Sequence, residues 1–181
     1  MGSQISMLLL NNFIDFFGGN TEKYGSHVYN KEEILKEGIK EKGNWSGWVK
    51  DKYKNFVKPT SNTYREHLEG NKAMGVCPIR ADNKVRFAVM DYDPYVKKED
   101  KEFSIRINTM VRYIYSNNFP LLCFRSKSGG LHIYMFFKVE VPAKQAREIL
   151  HKFLPLLNLP QATEIFPKQD RIVPVNKGNR C

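Results

Sequence analysis

The sequence predicts an α+β domain in which helices cover one face of an antiparallel sheet, and three observations predict it. Four short runs rich in β-branched and aromatic residues, "AMGVCPIR" (73–80), "KVRFAVMDYD" (84–93), "PLLCFRS" (120–126) and "LHIYMFFKVEV" (131–141), are bounded by Gly, Pro, Asn and Asp. Two longer segments, 97–118 and 142–157, carry apolar residues at helical spacing, the first through Phe103, Ile107, Met110, Val111 and Ile114. With 181 residues, 41% hydrophobic and 27% charged, the chain can bury a core and is neither disordered nor fibrous in composition.

Taken in order, residues 6–17 are apolar at most positions and end at "GGN", as a short buried helix with a glycine stop does. Residues 31–42, "KEEILKEGIKEK", read as a charged, exposed helix. "GNWSGWVKDKYKNFVKP" (43–59) reads as an insert or loop; its interleaved aromatics and lysines either stack bases and meet phosphates or pin the segment to the core. "TSNTYREHLEG" (60–70) opens on cap residues and closes on glycine, which marks a compact helix. A strand, a crossover helix, a hairpin and a second helix on one sheet face resemble the RNA-recognition-type fold. The chain is thus expected to be one domain, 1–181, with an N-terminal helical and α/β part over 1–70 and a sheet core over 71–181.

Lys and Arg number 29 against 19 acidic residues, so the net charge is +10. A field of that sign attracts polyanions, nucleic acid first, although solubility alone can account for it. Three cysteines, widely spaced and without a CxxC pair, suggest neither a disulfide framework nor a zinc site and fit a reducing, cytoplasmic setting. Apolar stretches fall well short of the roughly 20 residues of a membrane span. His27, His67, His132 and His151 are scattered, which excludes the paired-histidine metal motif of rolling-circle initiators.

Three constellations can carry chemistry. Asp91 and Asp93 stand one residue apart at the end of an apolar run, so on an extended chain they share a face while Tyr92 points away. Two such carboxylates repel unless a cation bridges them, and paired oxygen ligands are how a hard divalent ion is held; a turn with Asp93 capping a helix is the other reading. The second is "RSKSGGLH", where Arg125, Ser126, Lys127, Ser128, Gly129 and Gly130 make a basic, hydroxyl-rich turn ahead of His132. Glycines there let backbone N–H groups converge on phosphate oxygens; an ordinary glycine hairpin with a structural histidine is the alternative. The third is "QATEIFPKQDRI" (161–172), with Glu164, Lys168 and Gln169, which by itself reads as a strand entering a solvated turn.

In combination, the DxD, the later "SGGLH" and the single acid ahead of "FPKQ" are similar in order and spacing to the motifs of the archaeo-eukaryotic primase superfamily. More narrowly they resemble primase-polymerase domains of mobile elements, phages and conflict systems, over residues 11–179 apart from the Trp-containing stretch. The resemblance implies a nucleotidyltransferase on a single-stranded DNA template and primer, using NTP or dNTP and Mg²⁺ or Mn²⁺. It further implies Asp91, Asp93 and Glu164 as catalytic metal ligands and His132 as the phosphate-binding residue. Arg125, Ser126, Lys127, Ser128, Gly130, Lys168 and Gln169 would be further nucleotide contacts. A helicase or a helical primer-binding module is the partner it implies, a prokaryotic, viral or plasmid replicon the setting. Two other classes stay open: a metal-dependent nuclease using the same carboxylates, and a noncatalytic nucleic-acid-binding module whose sheet aromatics stack bases.

Overall fold

A computed structural model describes residues 5–27, 45–93, 101–126 and 129–172. The expected helix over 31–42 lies outside them, as do Lys127 and Ser128. The chain divides into two compact units, Met1–Cys77 and Pro78–Cys181.

In the first unit, helix α1 (Met7–Phe17) starts where the Ser6 hydroxyl accepts the Leu9 N–H at 3.2 Å and stops where Gly18 N–H reaches the Ile14 carbonyl. The glycine stop falls as read, but the burial does not. Only Leu10 is buried, and Met7, Leu8, Leu9 and Phe16 are half or more exposed, because an apolar pattern says what a helix offers and not what covers it. Strands β1 (Gly25–His27), β2 (Trp45–Trp48) and β3 (Ala73–Gly75) form an antiparallel sheet in the order β2-β1-β3. Two expectations are corrected here. The Trp-containing stretch contributes a strand instead of a loop, and the run 73–80 is strand only at its start and pairs with β1, apart from the other three runs. Helix α2 (Ser61–Leu68) forms as its sequence indicates: Thr60 and Thr63 make a capping box, and Gly70, at φ 74, ends it.

The second unit follows the sequence β4 (Lys84–Tyr92), α3 (Lys101–Ser116), β5 (Leu122–Arg125), β6 (Leu131–Pro142), α4 (Ala143–Leu156), β7 (Glu164–Phe166). All its pairings are antiparallel, in the spatial order β5-β6-β4-β7. The short acid-bearing run 164–166 thus supplies the strand that the run at 73–80 does not.

Alternation and the helix contacts, not burial alone, assign the faces, since Val85, Phe87 and Val89 of β4 are buried too. Ala88, Met90 and Tyr92 of β4, Leu131, Ile133 and Met135 of β6, and Ile165 of β7 are all buried. Phe103, Met110 and Ile114 of α3 and Ala143, Ala146, Leu150 and Leu154 of α4 are buried as well, at the 3–4-residue spacing of one helix face. Helix α4 lies against β4, β6 and β7, and the Phe103 ring of α3 meets Tyr92 at 5.4 Å. Alternation sends Phe87, Val89, Asp91, His132, Tyr134 and Phe136 to the other face, where Phe87, Tyr134 and Phe136 form a ring cluster.

Asn83, at φ 61, ties three segments together. Its carbonyl accepts the Ala143 N–H at the start of α4, and its side-chain oxygen accepts the Ile172 N–H beyond β7. Arg147 of α4 pairs with Asp170 on the same segment.

Cys123 is a free thiol, whereas Cys77 is disulfide-bonded, which departs from the expectation that the cysteines make no disulfide framework. No described helix is long and apolar enough to cross a membrane.

Gly19 has no room for a side chain. A Cβ there would stand 2.0 Å from the Cys77 carbonyl oxygen, an atom held in place by the Asn20 N–H at 2.8 Å, and 2.8 Å from Val76 Cγ1. Gly19→Ala is therefore expected to destabilise the first unit by about 1–3 kcal/mol. The urea midpoint followed by tryptophan fluorescence checks this, since both tryptophans, Trp45 and Trp48, belong to that unit.

Candidate functional site

The site is built by strand register. Asp91 on β4 is the direct partner of His132 on β6 and of Glu164 on β7, and His132 is in turn the partner of Phe124 on β5. Register partners in antiparallel pairs have Cα atoms roughly 4.5–5.5 Å apart and project side chains to the same face. Phe124, His132, Asp91 and Glu164 therefore form one transverse row across all four strands, on the face turned away from α3 and α4. Asp93 follows the last residue of β4, and Tyr92 between the two aspartates turns into the core at 7% exposure.

The turn after β5 is closed on itself. Ser126 N–H donates to the Gly130 carbonyl at 3.0 Å, and Gly129 N–H donates to the Ser126 carbonyl at 3.1 Å. These two donors are therefore engaged within the turn. The Ser126 hydroxyl, in a buried residue, donates to Asp93 Oδ1 at 3.2 Å. Gly130 permits that approach, since a Cβ would lie 2.4 Å from the Tyr92 carbonyl oxygen and 2.6 Å from Asp93 Oδ1. Turn and acidic strand end are thereby one piece.

A family model, the archaeo-eukaryotic primase domain of the TOTE conflict system, matches residues 13–180. The chain belongs to this primase family. Among curated proteins nothing matches it. A primase domain implies nucleic-acid and nucleotide binding.

Within the primase domain each acidic side chain of the site has a counterpart. His132 Nε2 stands 3.3 Å from Asp91 Oδ1, Ser126 bonds Asp93, and Lys168 Nζ donates to Glu164 Oε1 at 2.7 Å while lying 4.8 Å from the Phe166 ring centroid. The His132 contact is an ion pair without hydrogen-bond alignment, for Asp91 Oδ1 is buried and accepts no hydrogen bond. Pairing with the Asp91 side chain nonetheless lifts the imidazole above its ordinary value; burial opposes the rise, and the charges of Asp91 and Asp93 add to it. Burial also raises the Tyr134 phenol, with Asp91 contributing.

Of the residues singled out in the sequence, the fold brings Asp91, Glu164 and His132 into one row, with Asp93, Ser126, Gly130 and Lys168 at its margins. Gln169 follows Lys168 and is half-buried. Arg125 is exposed at the end of β5, and as the partner of Leu131 it alternates toward the opposite face. Phe124 is a member of the row that sequence reasoning missed. Its signal is the period-2 step from Leu122 to Phe124, both nearly half exposed, which becomes informative only once the register with His132 is known.

No group of three His, Cys, Asp or Glu among the described residues is close enough to be a metal cluster as it stands. The donor set nevertheless suits a hard divalent ion, being three carboxylates of which one offers a buried oxygen without a hydrogen bond.

In the absence of added divalent ions, His132 is expected to titrate above about 6.5, and Asp91→Asn is expected to bring it down. The native state then favours the charged ring, so its contribution to stability is complete below the unfolded value and is lost as pH rises through the folded one. An NMR titration of the His132 ring, beside thermal midpoints across that range, checks both.

Proposed function

We propose that the chain is a template-directed primase-polymerase, a nucleotidyltransferase that joins NTPs or dNTPs on single-stranded DNA. The observation that carries this reading is the row in which Asp91, Glu164 and His132 are register partners on three adjacent strands. The β-α-β-β-α-β connectivity and the order β5-β6-β4-β7 support an RNA-recognition-type core. Because the family match spans both compact units, we take residues 1–181 as one primase-polymerase domain, with the sheet unit carrying the chemistry.

In this reading Asp91, Asp93 and Glu164 hold Mg²⁺ or Mn²⁺. A bound divalent ion supplies charge neutralisation and a lowered pKa for an attacking 3′-hydroxyl. His132 donates to the phosphates of the incoming nucleotide from the same row. Ser126 keeps the Asp93 carboxylate oriented, so its part is positioning. Lys168, whose ammonium pairs with Glu164, would also meet a phosphate oxygen, and Gln169 is its neighbour. Lys127 and Ser128 would add contacts to the triphosphate from the turn, whereas Arg125, which alternates to the opposite face, is left out of this set.

Chain transfer onto a 3′-hydroxyl distinguishes this from nuclease chemistry, because it needs a nucleotide and lengthens the strand. Asp91→Ala is expected to lower template-directed incorporation by roughly 10²–10³-fold or more with the circular dichroism spectrum unchanged. His132→Ala is expected chiefly to raise the nucleotide KM. Extension of a labelled primer with Mg²⁺ or Mn²⁺ measures both, and full incorporation by Asp91→Ala would reject the assignment.

A further inference from the structure

Residues 49–57 form a β-hairpin in the first unit that sorts its aromatic side chains into two kinds. Val57 N–H donates to the Val49 carbonyl at 3.0 Å and Asp51 N–H to the Asn55 carbonyl at 2.9 Å, with Lys50 and Phe56 bridged between them. One carboxylate locks the tip. Asp51 Oδ1 accepts the backbone N–H groups of Tyr53 and Asn55 at 2.8 and 2.9 Å, and Oδ2 accepts the Asn55 side-chain amide at 3.3 Å. Lys54, at φ 68, completes the reversal.

Trp48 and Phe56 are engaged inside the unit. The Lys23 ammonium lies 4.2 Å from the Trp48 ring centroid and 5.5 Å from that of Phe56, and Lys23 is itself only 5% exposed. Tyr53 has no such use. It keeps 71% of its surface exposed at the tip, between Lys52 and Lys54, with Lys52 Nζ 4.9 Å from its ring. From 48 to 58 the chain carries four lysines and one aspartate. Lys58 is paired with Glu22 at 2.8 Å and Asp51 is spent on the turn, so Lys50, Lys52 and Lys54 have no acidic partner among the described residues.

We propose that this hairpin is a single-stranded nucleic-acid contact, in which Tyr53 stacks on an unpaired base and Lys50, Lys52 and Lys54 meet the flanking phosphates. A ring held on a prearranged turn loses little freedom on binding, and cations beside an aromatic are the combination that grips single strands without sequence preference. Duplex DNA offers a lone ring no unstacked face, which selects against it. The contact is one of binding alone and holds whether or not the chain adds nucleotides.

The test is fluorescence anisotropy of the full chain with a labelled oligothymidine, of a length covering several binding sites, at increasing salt. Tyr53→Ala and Tyr53→Leu are each expected to weaken binding roughly tenfold, and Tyr53→Trp to retain it. Leucine keeps the apolar bulk without the ring, so it separates stacking from mere burial, and tip variants that unfold are recognised by their tryptophan fluorescence. Lys52→Gln combined with Lys54→Gln is expected to reduce the slope of log affinity against log salt by about 1.4, or ~0.7 for each phosphate contact on a single strand. Binding by Tyr53→Ala equal to the parent chain overturns the proposal, even where the lysine changes weaken it, since a charged face alone would then suffice. An equal loss of affinity for a duplex of the same length overturns it as well.

Discussion

The antiparallel register of β4 against two neighbours is the constraint on which the rest depends. Because Asp91 faces His132 on one side and Glu164 on the other, a single strand position decides whether two acids and an imidazole meet. A one-residue slip on either side would send the partner to the helix-covered face. Burial guards against that slip: Met90, Ile133 and Ile165 occupy the alternate positions and are buried, so a shift would move three large apolar side chains out of their packed environment at once. The chemistry of the row is thus held in place by the hydrophobic side of the same strands.

Charge in the site is balanced by the chain itself. His132, Ser126 and Lys168 each sit against a different carboxylate, and the pairs come from different segments: a strand, a turn and the stretch after an edge strand. Of these contacts the Lys168–Glu164 pair is the exposed one, and solvent screening keeps it modest in energy. The effect of all three is geometric, because each fixes the orientation of one acidic side chain.

Much of the second unit is legible in the sequence because its signals are local. The alternation in "FAVMDYD" and the helical spacing of 103–114 and 143–154 are written in consecutive residues, and they lead to β4, α3 and α4 at about their observed limits. The misread parts depend on partners far along the chain. The run 73–80 has strand composition, yet Pro78 cannot donate to a ladder and its first residues find β1. The tryptophan-containing stretch looks irregular because a hairpin with an aromatic and basic pattern lacks polar–apolar alternation. Helix α1 has an apolar face in sequence and keeps it largely exposed, since periodicity carries no record of the surface opposite. Proximity in sequence groups Arg125 with the turn, whereas alternation on β5 separates it from the row.

The acid on β7 rests on an unusually slender support. Three residues make little ladder of their own, and β7 lies at the edge of its sheet, paired on one side only. Its placement leans on the segment just beyond it, where the Asn83 side chain grips Ile172 and Arg147 of α4 pairs with Asp170. Positions 83, 147 and 170 thereby become remote governors of Glu164, and drift at any of them would register as slackened aim of that side chain while the core stayed intact.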